Sequence, residues 1–194
     1  MKMLYFILIC ILGLFLGCTG KKENKNRNVY KNLLTVGLAS FAADSAFSQY
    51  AQSNIDLKNF LGKWSEYKRI DNSFQSGLYN VTAEYGIIDS NRISVRNSGI
   101  TKSGSVFDIA GIGIIPTLKK PGIVKVSFFP LFFSDYYILK IDTDCRYALI
   151  GSPVPEILWL LSRNGNYPPS IESDYIQFAN SIGYKTALLQ SFTQ

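Results

Sequence analysis

Histidine is absent from the chain, and cysteine is scarce. Because histidine is the commonest metal ligand and the usual general base of triad hydrolases, its absence argues strongly against a zinc enzyme or a Ser-His-Asp hydrolase. The three cysteines, Cys10, Cys18 and Cys145, lie too far apart in the sequence to form a CxxC zinc or redox motif. We therefore expect no metal site and no cofactor.

Charged residues are also few, at 18% of the 194 residues, whereas 47% are hydrophobic. This is enough apolar material for one domain with a sizeable core. The formal net charge of +6 is unevenly distributed, because residues 1–52 hold six basic and two acidic residues and so account for most of it. The rest of the chain is nearly neutral, so the sequence predicts no nucleic-acid partner.

The longest hydrophobic run, residues 4–16, follows Lys2 and ends at Gly17. At about 1.5 Å per residue, a helix of this length reaches about 20 Å, short of the roughly 30 Å hydrocarbon core of a membrane. The length is typical of a secretory signal peptide. Phe15-Leu16-Gly17-Cys18 resembles the lipobox of bacterial lipoproteins, which implies that residues 1–17 are removed and that Cys18 is acylated. An ordinary signal peptide with a chance cysteine is the alternative.

The predicted lipidated N-terminus and tether cover residues 18–52. Thr19 stands where inner-membrane lipoproteins carry an aspartate, so the same resemblance implies a lipid-anchored protein of the outer membrane. Residues 19–31 are polar and rich in lysine and asparagine, which predicts a flexible segment attracted to anionic lipid head groups. Apolar residues then recur three or four positions apart in 33–51, which indicates an amphipathic helix. A packed or loosely ordered helix is favoured over a membrane-surface helix or a second cleavage-like segment.

From residue 62 onward, apolar and polar residues alternate, which predicts strands with one buried face. Turn-forming residues separate eight such strands, near 62–70, 78–88, 92–97, 104–114, 122–129, 135–141, 145–151 and 157–163. Residues 170–184 have a helical period, with Ser170 or Ser173 as the expected cap and Gly183 as the expected end. A short ninth strand is predicted near 186–190. Such an order is typical of an antiparallel sandwich or barrel.

Three motifs in this region resemble the signatures of the lipocalin family. Gly62-Lys63-Trp64 matches the Gly-x-Trp of the first strand, and Thr143-Asp144-Cys145 matches Thr-Asp-Tyr except for its cysteine. Arg163 stands where the third signature has its arginine. The likeness covers about residues 56–190 and is greatest to the bacterial outer-membrane lipoprotein lipocalins, which resemble apolipoprotein D.

This resemblance implies an all-β fold: an eight-stranded antiparallel up-and-down β-barrel in residues 53–194, with one C-terminal α-helix. It also implies that Arg163 lies across Trp64 and closes one end of the barrel. We expect Gly62, Trp64, Thr143, Asp144 and Arg163 to have structural roles.

The face predicted to point into the barrel is uncharged and rich in aromatic residues. Its members are Tyr79, Val81, Ala83, Tyr85, Val95, Val124, Val126, Phe128, Tyr137, Leu139 and Trp159. Such a face suits an acyl chain with a modest polar head, and the resemblance implies a fatty acid or a lysophospholipid. The sequence thus predicts a non-enzymatic, membrane-anchored protein for lipid storage or transport in the cell envelope, facing the periplasm or the surface. A structural lipoprotein with a filled barrel is the main alternative, a lipid-modifying isomerase a distant one, and a homodimer is left open.

Overall fold

The computed structural model describes residues 46–129 and 132–193. The strands are β1 (Gly62–Ile70), β2 (Leu78–Ile87), β3 (Arg92–Thr101), β4 (Val106–Ile114), β5 (Ile123–Phe129), β6 (Phe132–Ile141), β7 (Tyr147–Gly151), β8 (Leu158–Ser162) and β9 (Leu189–Gln190). The helices are α1 (Leu57–Phe60) and α2 (Pro169–Ser181), and short 3-10 turns cover Ser48–Tyr50 and Thr186–Leu188. All eight predicted barrel strands are present, with ends that differ by at most four residues.

The strands form a closed antiparallel barrel, as predicted. Each strand from β2 to β7 pairs with the next in the sequence, and β1 pairs with both β2 and β8. Closure leaves no barrel strand at the edge of the sheet, although β4 pairs with β5 only through residues 112–114. The two-residue β9 is added outside the barrel, on the last residues of β1. The start of β1 therefore marks one end of the barrel, called here the closed end, and the end of β1 marks the other, the open end.

Two hydrophobic clusters hold the fold together. One fills the closed end around Phe60, Trp64 and Ile138. The other lies outside the barrel wall, where α2 packs against β6 and β7 through Tyr175 and Ala179. Alternating strand residues contribute to opposite clusters, which explains why several strands are buried on both faces.

The C-terminal helix is present, but the expected serine cap is wrong. The helix begins at Pro169, with Pro168 as its N-cap and no side-chain cap. Proline suits the first helical position because its missing N–H needs no partner there. Gly183 ends the helix as expected, with a φ of 107° that favours glycine. Among the described residues, no helix is both long enough and apolar enough to span a bilayer.

The predicted helix at 33–51 falls only in part within the described chain. Ser48–Tyr50 is a 3-10 turn packed on the body: Phe47 lies 4.3 Å from the ring of Tyr184, and Tyr50 meets Phe178 edge-on. Residues 33–45 lie outside the described residues, as do the predicted signal peptide 1–17, Cys18 and the tether before residue 46. Those predictions remain untested.

Candidate functional site: a cavity at the open end of the barrel

The barrel encloses a mostly apolar cavity of about 390 Å³. Its wall comprises Glu66, Phe74, Gln75, Leu78, Val81, Ala83, Tyr85, Val95, Asn97, Ser98, Phe107, Ile109, Val126, Phe128, Phe129, Phe132, Ser134, Asp135, Tyr136, Ser152, Ile157, Trp159 and Leu161. The volume lies within the ~300–1,000 Å³ typical of small-molecule sites. The eight-stranded barrel is therefore hollow above its closed-end core.

Seven of the residues predicted to face inward line this cavity. They are Val81, Ala83, Tyr85, Val95, Val126, Phe128 and Trp159. Val124 also points inward, but it belongs to the closed-end core below the cavity. The alternation of β2, β3 and β5 predicted these positions because a regular strand places every second side chain on the same face.

The predicted inward direction of Tyr79 is wrong. Tyr79 packs outside the cavity, 6.4 Å from the ring of Phe192, and its neighbour Leu78 lines the wall instead. The pairing of β2 with β3 shifts between Tyr79 and Thr82, and Asn80 there has a φ of 49°. This bulge moves the alternation by one residue, so the pattern read from Val81 onward does not extend back to Tyr79.

The predicted phase of β6 is also wrong. Tyr137 and Leu139 are buried in the cluster beneath α2, outside the barrel. Tyr136 lines the cavity, and Ile138 fills the closed-end core. Because β6 is covered on both faces, its outward residues are as apolar as its inward ones, and the sequence pattern could not separate them.

Sequence reasoning missed the contributions of β4 and of the loop between β1 and β2. Phe107 and Ile109 line the cavity, with Gly111 and Gly113 continuing their face of β4. The alternation of Phe107, Asp108 and Ile109 is the sequence signal that marks this face. Phe74 and Gln75 come from the loop after β1, whose approach to the cavity has no local sequence signal.

The prediction that the inner face is uncharged is wrong, because Glu66 is part of the cavity wall. Its carboxylate accepts a hydrogen bond from Arg69 Nη1 at 2.5 Å and another from Gln75 Nε2 at 3.0 Å. Gln75 Oε1 in turn accepts from Trp159 Nε1 at 2.7 Å. Burial raises the pKa of Glu66, and the nearby Arg69 opposes that rise. The wall thus contains a carboxylate that is paired with a guanidinium and belongs to a connected network of hydrogen bonds.

Arg69 holds this network in place from behind the wall. It is fully buried, and its Nη2 donates to the carbonyl oxygens of Gln75 and Leu78 at 2.9 and 3.1 Å. The ring of Phe192 stacks 3.6 Å from its guanidinium carbon. Buried charges are tolerated when they are paired and hydrogen-bonded in this way.

Two tyrosine hydroxyls form a second polar group in the wall. Tyr85 Oη and Tyr136 Oη are 2.8 Å apart, so one donates to the other. Burial raises the pKa of Tyr85 to about 12, and burial also raises that of Tyr136. Both phenols are therefore neutral hydrogen-bonding groups at physiological pH.

The closed end is occupied by the first and third sequence motifs. The guanidinium carbon of Arg163 lies 3.8 Å from the centroid of the Trp64 ring. Arg163 also donates to the carbonyl oxygens of four residues, Asn59, Phe60, Lys63 and Cys145, at 2.7 to 3.2 Å. Gly62 has a φ of 87°, a left-handed backbone conformation that favours glycine.

The second motif lies in the turn between β6 and β7, at the same end. Asp142 Oδ1 accepts from the backbone N–H groups of Arg146 and Tyr147 and orders this turn. Thr143 and Asp144 line an open, mainly polar hollow on the outside of the barrel, with Cys145 and Arg163. Cys145 is half-buried with a φ of 52°. Neither Thr143 nor Asp144 approaches the cavity.

The family model of the Lipocalin-like domain matches residues 55–194 of this sequence. This chain belongs to the lipocalin family. It is 36% identical over 136 residues to outer membrane lipoprotein Blc of Vibrio cholerae, covering 69% of this chain and 80% of that protein. It is also 31% identical to apolipoprotein D of Mus musculus, covering 61% and 66% respectively.

The solved structures add support for the fold. Apocrustacyanin C2 superimposes with a TM-score of 0.64 at 16% identity, covering 77% of this chain and 87% of the other. The lipocalin family predicted from the three motifs, and its relation to the bacterial lipoproteins and apolipoprotein D, are confirmed. At this level of identity, the structural match supports the barrel fold alone and carries no information about a ligand.

Proposed function

We propose that this lipocalin is a membrane-anchored protein that binds one fatty acid or lysophospholipid in the barrel, for storage or transport of lipid in the cell envelope. The cavity is the observation that carries the proposal. A structural lipoprotein with a filled barrel would need side chains in the space that Ala83, Val95 and Val126 leave open.

The wall of the cavity suits an amphiphile. Most of it is apolar and aromatic, and burial of apolar surface contributes roughly 25 cal/mol per Å². The wall also carries polar groups, among them the Glu66–Gln75–Trp159 network and the Tyr85–Tyr136 hydroxyl pair. An acyl chain would contact the apolar wall, while a head group with hydroxyl or ester oxygens would find hydrogen-bonding partners.

The membrane attachment is inferred from Cys18 and from the relatives. The name of the relative, outer membrane lipoprotein Blc, states an outer-membrane location. The lipobox-like sequence of this chain ends at Cys18. We infer a lipid-anchored location in the outer membrane, facing the periplasm or the cell surface. The multiple acyl chains of a bacterial lipoprotein would hold the protein firmly.

Displacement of a fluorescent fatty-acid probe from the full-length protein tests the proposal. We expect long-chain fatty acids and lysophospholipids to displace the probe. Val126→Asp should abolish binding, because an unpaired charge in the wall is costly to bury. Ile112→Asp is the matched control, since Ile112 is exposed on the outer face beside Gly113, the residue that pairs with Val126.

A second variant distinguishes loss of binding from loss of folding. Ala83→Phe adds volume to the cavity without charge, and it should weaken probe binding at least tenfold while the circular dichroism spectrum stays unchanged. Binding that persists in both Val126→Asp and Ala83→Phe would place the lipid elsewhere. Failure of every lipid to displace the probe would favour the filled-barrel alternative.

A further inference from the structure

The charged side chains in the cavity wall are all acidic. Among the described residues that line the cavity, Glu66 and Asp135 are the charged ones, and they include neither a lysine nor an arginine. Their counter-ions lie outside the wall: Arg69 Nη1 is 2.5 Å from Glu66 Oε1, and Lys125 Nζ is 2.6 Å from Asp135 Oδ1. Each pair is neutral as a whole, but its negative group is the one that lines the cavity.

Glu66 lies in the inner part of the cavity. It follows Trp64 by two residues on β1, so both side chains lie on the inner face, and Trp64 belongs to the closed-end core. The register of β1 with β8 shifts between Glu66 and Lys68, and this bulge brings Arg69 to the side of Glu66. The Glu66 side chain is only 4% exposed. A ligand that fills the barrel therefore meets this carboxylate away from bulk water.

Arg69 is poorly placed to bind a second anion. Its buried guanidinium donates to Glu66, to Asp71 and to the carbonyl oxygens of Gln75 and Leu78. These hydrogen bonds hold the cation behind Glu66, so a ligand inside the barrel meets the carboxylate before it meets the guanidinium. A carboxylate on that ligand would lie beside a like charge without a cation of its own, which is costly in a buried site.

An uncharged oxygen has a hydrogen-bond partner in the same wall. The hydroxyl groups of Tyr85 and Tyr136 are 2.8 Å apart, and one of them donates to the other. Within the described chain this pair makes no further hydrogen bond, so one of its two O–H groups is left to donate to a ligand. A single neutral donor satisfies a carbonyl, ester or hydroxyl oxygen, whereas a buried carboxylate needs a cation or several donors.

From these contacts we infer that the cavity selects acyl compounds with an uncharged head group, such as an ester or an alcohol, over those with a carboxylate, and that Glu66 sets this preference. The inference rests on the proposed function, because it concerns the lipid that the barrel binds. It predicts that a monoacylglycerol binds more tightly than the fatty acid with the same chain.

Competition for a pyrene-labelled monoacylglycerol measures this preference in the full-length protein. Myristate and 1-monomyristoylglycerol have the same acyl chain, and each is titrated against the probe at pH 8, where myristate is ionised, and below the concentration at which it aggregates. Because the protein, the probe and the chain are shared, the ratio of the two inhibition constants reports the effect of the head group. We expect monomyristoylglycerol to bind at least tenfold more tightly than myristate.

Glu66→Gln removes the charge and keeps the size of the side chain. Arg69 then keeps Asp71 as its acidic partner, and the wall no longer places a carboxylate in front of the guanidinium. Myristate should therefore gain affinity until the two lipids differ by less than about twofold. Glu84→Gln is the matched control, because Glu84 is exposed on the outer face of β2 and is not part of the wall. It should leave the tenfold ratio unchanged.

A double variant keeps the test valid if Glu66→Gln alone does not fold. Glu66→Gln combined with Arg69→Met removes both charges of the pair, so no unpaired cation is buried. The preference for monomyristoylglycerol should fall to about threefold or less. A tenfold preference that persists in either folded variant would overturn the role of Glu66.

The wild-type ratio decides the inference in every case. Equal affinity for myristate and monomyristoylglycerol would overturn it and leave the proposed function intact. If neither lipid displaced the probe, the proposed function itself would be contradicted.

Discussion

Arg163 lies directly opposite Trp64, one step beyond the last residue pair that joins β8 to β1. That pair is Ser65↔Ser162, and the guanidinium stacks 3.8 Å from the indole ring beyond it. The contact thus extends the seam between the last and first barrel strands and covers the closed-end core. The cavity mouth is at the opposite end, so closure and ligand access use different residues.

This arrangement predicts that Arg163 and Trp64 are energetically coupled. Arg163→Ala should cost ~1–2 kcal/mol for the cation–π contact and a further ~1–3 kcal/mol for carbonyls left without a donor. Trp64→Ala should cost about 3–5 kcal/mol because it also leaves a cavity. The double variant should be less destabilised than the sum, by about 0.5–3 kcal/mol. Chemical denaturation of all four proteins measures this coupling.

Arg163→Lys is the control for the clamp. It keeps the charge but cannot reach all four carbonyl oxygens, so its stability should lie between those of the wild type and Arg163→Ala. Additive effects of Arg163→Ala and Trp64→Ala would mean that the stacking contributes nothing. Lipid affinity should stay within about twofold in every variant that is folded.

The Glu66–Arg69 pair predicts that the stability of the protein depends strongly on the cation of Arg69. Arg69→Met removes the cation and leaves a buried carboxylate, which should cost about 3–5 kcal/mol at neutral pH. Glu66→Gln combined with Arg69→Met should recover part of that loss, since no charge is then buried. Urea denaturation at pH 7 compares the two; equal stability would show that the carboxylate of Glu66 is not the source of the cost.

The same pair predicts the direction in which stability changes with pH. Burial raises the pKa of Glu66 above its ordinary 4.5, so the folded state holds this proton more tightly than the unfolded state does. The contribution of Glu66 to stability is therefore greatest below pH 4.5 and is lost as the pH rises through the folded-state pKa. In Arg69→Met the loss at neutral pH should shrink toward pH 4.5, and Glu66→Gln should remove that dependence.

The hydroxyl pair in the cavity predicts a decline of stability in alkali. Burial raises the pKa of Tyr85 from 10.0 to about 12, so the unfolded chain loses this proton first. The free energy of unfolding should fall by about 2–3 kcal/mol between pH 10 and 12 on account of this group. Tyr85→Phe should lessen the decline in denaturation curves measured across that range. An unchanged slope would show that Tyr85 ionises as readily in the folded protein.

Acylation of Cys18 is a prediction that rests on the sequence. Cells supplied with a labelled fatty acid such as palmitate should incorporate label into the wild-type protein and not into Cys18→Ala. Cys145→Ala is the control, because Cys145 is a half-buried thiol of the barrel and should not affect labelling. Undiminished label in Cys18→Ala would refute the lipobox assignment.

The sequence by itself determined the strands, their order and the family, because alternation, turn residues and the three motifs are local features. It placed Val81, Tyr85 and Val126 correctly, since those strand segments are regular and have one polar face. Tertiary structure decided the rest. A bulge at Asn80 turned Tyr79 outward, and the cover provided by α2 made both faces of β6 apolar. Glu66 could enter the wall because Arg69 neutralises it, and bulges, cover and partners of this kind arise from contacts between residues distant in sequence.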